Sequence, residues 1–145
     1  MTKFDEYRED NRREVKSAKG GLPASLWDTY SAFTNSQGGV IILGVRENED
    51  KSWQTTGLQN PAKIYKEFWD MIHNPVKVSL NLLTDDDVEL YDVGGDTIMM
   101  IHVPMARREE KPIYLNDNIF KYTYRRNGEG DYRCTKSQVL AMLQL

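Results

Sequence analysis

The sequence predicts an α+β fold, a mixed and largely antiparallel sheet with two or three packed helices in a single domain spanning residues 1–145. Three observations carry this. A helical pattern from Leu26 runs through Asn35-Ser36-Gln37-Gly38-Gly39 straight into the apolar run Val40-Ile41-Ile42-Leu43-Gly44-Val45. Val88 to Val93 and Thr97 to Val103 flank Gly94-Gly95, the best hairpin signal in the chain. Asn60-Pro61 then opens a second helix, with Asn60 placed as its N-cap and Pro61 as its first residue.

Taken in order, residues 3–13 are strongly charged and open as a short helix or an extended arm. Glu14 to Ala18 reads as a brief strand stopped by Lys19-Gly20-Gly21, and Leu22-Pro23 enters the first helix. In that helix Trp27, Tyr30, Ser31 and Thr34 recur at three and four residues, so one face is buried. Asn35, Gly38 and Gly39 are expected to supply the positive-φ positions that end it. The run from Val40 to Val45 lacks polar alternation, as a strand covered on both faces does, with Gly44 a structural residue within it. Arg46 to Ser52 is a turn and Trp53 to Thr56 a returning strand. Ala62 to His73 is the second helix, ended by Asn74-Pro75. Val76, Val78, Leu80 and Leu82 alternate as a half-buried strand, and Ile113 to Leu115 is a short extended piece. Ile119 to Arg126 alternates as another strand, and Lys136 to Leu145 is a short amphipathic helix.

Composition limits the function classes. A chain of 145 residues, 39% hydrophobic and 28% charged, has the size and balance of one soluble globular domain. No run approaches the ~18 apolar residues of a membrane span, the first residues lack an apolar signal-peptide core, and the single cysteine, Cys134, suits a reducing cytoplasm. The net charge of −3 is unevenly spread, with net +1 over residues 1–19, −7 over 20–104 and +3 over 105–145. A local phosphate-binding face is compatible with that distribution, whereas a diffuse polybasic grip is not. The glycines at 38 and 39 follow a helix instead of opening one, and no Gly-x-x-x-x-Gly-Lys-[Ser/Thr] occurs, which argues against an ATPase. Neither His73 nor His102 has a second His or Cys at a ligand spacing, so a zinc site is not expected.

Two groups of residues are able to carry chemistry. Glu14 and Lys16 leave the same face of a strand, Glu9 lies five residues earlier, and Glu47 follows the central strand. Carboxylates of Glu9, Glu14 and Glu47 meeting at one place would hold Mg²⁺ or Mn²⁺, with Lys16 beside a scissile phosphate, the parts of a metal-dependent nuclease. The same acids are also ordinary solvated charges in a chain with 22 of them. The second group is the stretch from Phe120 to Arg126, where Phe120, Tyr122 and Tyr124 are expected on one face and Lys121, Thr123 and Arg125 on the other, with Arg126 and Arg133 flanking the turn. Lys121, Arg125, Arg126 and Arg133 are therefore the candidate nucleic-acid contacts, although the rings also suit the core face of a strand.

Several of these stretches resemble one family. Asn35-Ser36-Gln37-Gly38-Gly39 followed by Val40 to Val45 is similar to the "Asn-Thr-x-Gly-Gly, apolar strand, Gly-Val" signature of the Schlafen/AlbA-type DNA-binding domains. Glu9 to Lys16 resembles that family's Glu-x4-Glu-Phe-Lys segment, with Val15 in place of Phe. Thr56-Gly57-Leu58 and Tyr124-Arg125-Arg126-Asn127-Gly128 resemble its Gly-Leu and Tyr-x-Arg-x-Gly elements, in the family's order. The resemblance implies a DNA- or RNA-binding module of a transcriptional regulator, cytoplasmic and without a membrane partner. It is compatible with a homodimer and with a C-terminal winged-helix domain in a longer parent chain. The RNA-cleaving members of the Schlafen branch place acids where Glu9, Glu14 and Glu47 fall, so a metal-dependent RNA endonuclease is the rival expectation. A protein-interaction or oligomerisation domain is the third.

Overall fold

A computed structural model describes residues 12–144. In chain order its regular elements are β1 (Arg13–Lys16), α1 (Ser25–Asn35), β2 (Gly39–Leu43), β3 (Val45–Glu47), β4 (Trp53–Thr55), α2 (Pro61–Ile72), β5 (Val88–Val93), β6 (Asp96–Val103), β7 (Tyr124–Asn127), β8 (Gly130–Arg133) and α3 (Lys136–Leu143). A four-stranded sheet of order β1-β2-β6-β5 is parallel at β1-β2 and antiparallel elsewhere, and β3-β4 and β7-β8 form two separate antiparallel ribbons. This is the α+β architecture with three helices and largely antiparallel sheets that the pattern predicts.

The central strand β2 has no polar alternation because both its faces are covered. On one side Ile41 and Leu43, with Met99 and Ile101 of β6, meet Trp27, Tyr30 and Phe33 of α1 and Ile64, Phe68 and Ile72 of α2. The Trp27 ring stacks on Phe68 with centroids 5.2 Å apart. On the other side Val40, Ile42, Ile98 and Met100 pack under Val45 and Trp53 of the β3-β4 ribbon. Each such large side chain contributes on the order of 1.5–3 kcal/mol by leaving water. Asn60 caps α2 by accepting from the Lys63 N–H at 3.4 Å, and Pro61 occupies the first turn, where its missing N–H costs nothing.

Two glycines set the path of the chain around β2. Gly38 has φ +73°, and a Cβ there would stand 2.6 Å from the Val103 carbonyl oxygen and 2.9 Å from the Met105 nitrogen. Its N–H donates to Phe33 O at 2.7 Å, closing α1. Asn35 has no positive φ and lies inside the helix, so the helix-ending conformation falls to Gly38 alone of the three expected residues; Gly39 instead fits where a Cβ would meet Arg12 O at 2.6 Å. Gly44, at φ +92°, breaks the expected single strand Val40–Val45 in two, and its carbonyl accepts from Thr56 and Gly57, so Val45 starts a new ribbon.

Two other expected strands are corrected. Residues 76–82 form no strand apart from one bridge between Val78 and Leu115, and Val76 and Leu80 are 61% and 40% exposed. The Lys77 and Val78 N–H groups both donate to Asn74 O in a turn after α2, so the alternation marks where Val78 enters the core, not a ladder. The strand expected from Ile119 begins only at Tyr124. Asn118 explains this, since its side chain accepts from Lys121 N at 3.2 Å and its carbonyl from Tyr122 N at 2.9 Å, winding residues 119–122 into a turn.

Candidate nucleic-acid interface

The β7-β8 ribbon lies on α1, and its alternation decides which basic residues face solvent. Arg126 points inward, its side chain only 6% exposed. Its Nη1 donates to Glu14 Oε1 at 3.1 Å and to Asp131 Oδ1 at 2.7 Å, its Nη2 donates to Arg13 O at 3.0 Å, and the guanidinium sits 4.9 Å from the Phe33 ring centroid. Glu14 and Lys16 share a face of β1 as the spacing requires, with Lys16 Nζ 3.7 Å from Glu14 Oε2 and donating to Ser25 Oγ at 3.1 Å. The sequence places Arg126 among the nucleic-acid contacts, but its Nη donors are committed to β1 and β8 and its guanidinium packs on Phe33 of α1. The hint was present: Arg126 and Asp131 flank Asn127-Gly128-Glu129-Gly130 and so face each other across a hairpin.

Asp131 also accepts from Thr29 Oγ1 at 2.6 Å. Its neighbour Asp28 has its carboxyl pushed above the ordinary carboxylate range, chiefly by burial and then by the Asp131 charge, against the opposing influence of Lys16 and of a hydrogen bond with the Tyr124 hydroxyl. An acid whose folded-state pKa is raised costs stability once it ionises, so the penalty is present at neutral pH and disappears as pH falls below its unfolded value. Asp28→Asn is therefore expected to melt higher than the wild type at neutral pH, with the gap closing on acidification. Thermal melts across pH check this, and a variant that melts lower at neutral pH refutes it.

The candidate metal-binding acids are distributed differently from one another. Glu14 and Glu47 line one cleft of about 160 Å³ at the outer edge of β1, together with Arg13, Trp53, Arg126 and Glu129. Glu9 lies outside the described residues. Among the described residues no three His, Cys, Asp or Glu side chains come close enough to hold a metal ion, and Glu14 is already matched by Arg126 and Lys16. The described donor set does not by itself fit Mg²⁺ or Mn²⁺.

The other basic residues are cations seated on rings, in separate pairs. In the Asn118 turn Lys121 places Nζ 5.4 Å from the Tyr122 ring centroid, and Arg133 comes to 5.3 Å of the same ring from β8 while its Nε donates to the Tyr124 hydroxyl at 3.4 Å. Arg125 lies 5.8 Å from the ring of its cross-strand partner Tyr132, and Lys136 lies 5.8 Å from that of Phe120. Lys136 is fixed at the start of α3 by reciprocal hydrogen bonds between Thr135 and Gln138 at 2.8 and 3.2 Å. The three aromatics expected on one strand face are separated: Tyr124 is buried, Tyr122 is half-buried and Phe120 is exposed. Lys136 and Tyr132 were not singled out by the sequence pattern; the pairing of β7 with β8 is what brings Tyr132 beside Arg125. Chemically, such pairs offer charge for phosphates and flat apolar faces for bases.

Comparison with known proteins places the chain in a family. The solution NMR structure of the N-terminal domain of a protein from Nitrosomonas europaea, described as related to the ATP-dependent DNA helicase RecG, matches with a TM-score of 0.60 and 26% identity over 90% of each chain. The crystal structure of the DIP2311 protein from Corynebacterium diphtheriae matches with a TM-score of 0.55 and 19% identity over 86% of this chain and 25% of that one, a likeness of fold. No curated protein matches significantly. The model of the "Schlafen, AlbA_2" family matches residues 3–135, so the signature stretches around Asn35-Gly39 and Tyr124-Gly128 both fall inside it, and the chain belongs to that family.

Proposed function

We propose that residues 1–145 form a nucleic-acid-binding module, a DNA-binding part of a transcriptional regulator acting in the cytoplasm. The observation that carries this is the set of cation-on-ring pairs built by Lys121, Arg125, Arg133 and Lys136 in the part of the chain with net positive charge. Phosphates are drawn by the cations, while Arg126 holds the ribbon to α1 and β1. The similar Nitrosomonas europaea domain comes from a protein described as DNA-helicase related, which points the same way. Among the described residues no helix is long and apolar enough to cross a membrane. A homodimer or a following winged-helix domain would extend the contact along the nucleic acid.

A second reading is favoured by one observation, the shared cleft of Glu14 and Glu47. It is a metal-dependent RNA endonuclease, for which Glu9 would have to complete the ligand set. Incubation with labelled tRNA and duplex DNA, with and without Mn²⁺, separates the two. Salt-sensitive retention without cleavage is expected from the module; cleavage that needs Mn²⁺ and is lost in Glu47→Gln would establish the enzyme. Neither retention nor cleavage would leave a protein-interaction domain.

A further inference from the structure

Two large rings remain in water, each beside one cation, and their exposure narrows the ligand. Phe120 and Tyr132 are 48% and 52% exposed, in a chain that fully buries Trp27, Phe33 and Phe68. Each carries a cation at 5.8 Å, Lys136 on Phe120 and Arg125 on Tyr132, which holds the ring without covering it. With a net charge of −3 and Arg126 turned inward, few phosphate contacts are available, so electrostatics alone is a weak source of affinity. Stacking of an unpaired base on an aromatic ring supplies what those contacts lack, and it is open only to bases that are not already stacked inside a duplex.

Resting on the nucleic-acid reading above, we propose that these rings take single-stranded nucleic acid, with unpaired bases stacked on Phe120 and Tyr132 and the flanking phosphates held by the cation beside each, Lys136 and Arg125. The duplex then binds less well than either of its strands. The hydroxyl of Tyr132 is dispensable and its ring is not.

Fluorescence anisotropy of the full chain tests this with a short labelled strand, the same strand annealed to its complement, and an abasic strand of equal length, each in DNA and RNA form. Tighter binding of the intact strand than of the duplex and the abasic strand, by about tenfold, is expected. Phe120→Ala and Tyr132→Ala should each weaken single-strand binding by about tenfold without changing its salt dependence, because they remove stacking and no charge. Phe120→Trp and Tyr132→Phe should retain it. Both rings are exposed, so circular dichroism of the alanine variants should match the wild type. Equal affinity for duplex and abasic strands, with the alanine variants unchanged and Arg125→Gln weakened, would overturn the stacking inference and leave the binding module standing. No affinity for any of the probes would overturn both.

Discussion

Asn35→Ala should cost about 2 kcal/mol or more, because two buried backbone groups, Tyr124 O and Ile113 N, lose their partner at once and each orphaned group costs about 1–3 kcal/mol. Asn35 is buried at the end of α1, where its Nδ2 donates to Ile113 O at 2.9 Å and Tyr124 O at 3.0 Å and its Oδ1 accepts from Ile113 N at 2.8 Å. One amide thus joins α1 to the 113–115 segment and to β7. Ser31 supports it, donating to Ile113 O at 2.7 Å and accepting from Tyr124 N at 3.0 Å. Asn35→Gly is the informative control. It would be harmless if Asn35 merely ended the helix, and it should be as damaging as alanine if the bridging amide is what matters. Asn35→Asp should not rescue, since a carboxylate cannot donate to the two carbonyls and would be a buried charge. Denaturant unfolding of the three variants checks this; a loss below about 1 kcal/mol in Asn35→Ala would show that the bridge is not needed.

Arg126→Met should cost about 3 kcal/mol, the lower end of what removing one partner of a buried ion pair costs, because Glu14 and Asp131 retain some access to solvent. Methionine keeps much of the volume over Phe33 but leaves both carboxylates without their shared cation. Arg126→Lys should recover only part of the loss, since one ammonium cannot reproduce the fork that reaches Glu14, Asp131 and the Arg13 carbonyl together. Loss of the brace should also loosen the β7-β8 ribbon, seen as faster amide exchange at Arg125 and Tyr132. Stability within about 0.5 kcal/mol of the wild type, the usual range for a surface substitution, would contradict this.

Local signals were legible where the cause is local. The helix-glycine-strand order, the Asn60-Pro61 helix start and the Gly94-Gly95 hairpin all rest on backbone chemistry within a few residues, and all three elements are present. The alternations at 76–82 and 119–126 misled for a common reason. A period of two also arises when a turn sends every second side chain inward, and the capping hydrogen bonds of Asn74 and Asn118 that make those turns leave no mark on the hydrophobic pattern. In the candidate site, residue types pointed to a stretch of the chain but not to orientation. Arg125 and Arg126 are neighbours in sequence and go to opposite sides of the ribbon, one to a ring at the surface and one to half-buried carboxylates. The partners of Arg126 on β1 are more than a hundred residues away, beyond the reach of any spacing rule. Asn35 was legible as structural, yet its bridging role depends on the 113–115 segment, which the sequence cannot bring next to α1.

The most direct measurement is the salt dependence of oligonucleotide binding by the wild type and by the triple substitution Lys121→Gln, Arg125→Gln, Arg133→Gln, with Arg126 left intact to keep the fold. Each phosphate contact on a single strand adds about 0.7 to the slope of log K against log salt. Loss of three contacts should therefore weaken binding and flatten the slope by about two units. A variant that stays folded and keeps the wild-type slope would contradict binding through these residues and move it elsewhere, first to the N-terminal Arg8, Arg12 and Arg13.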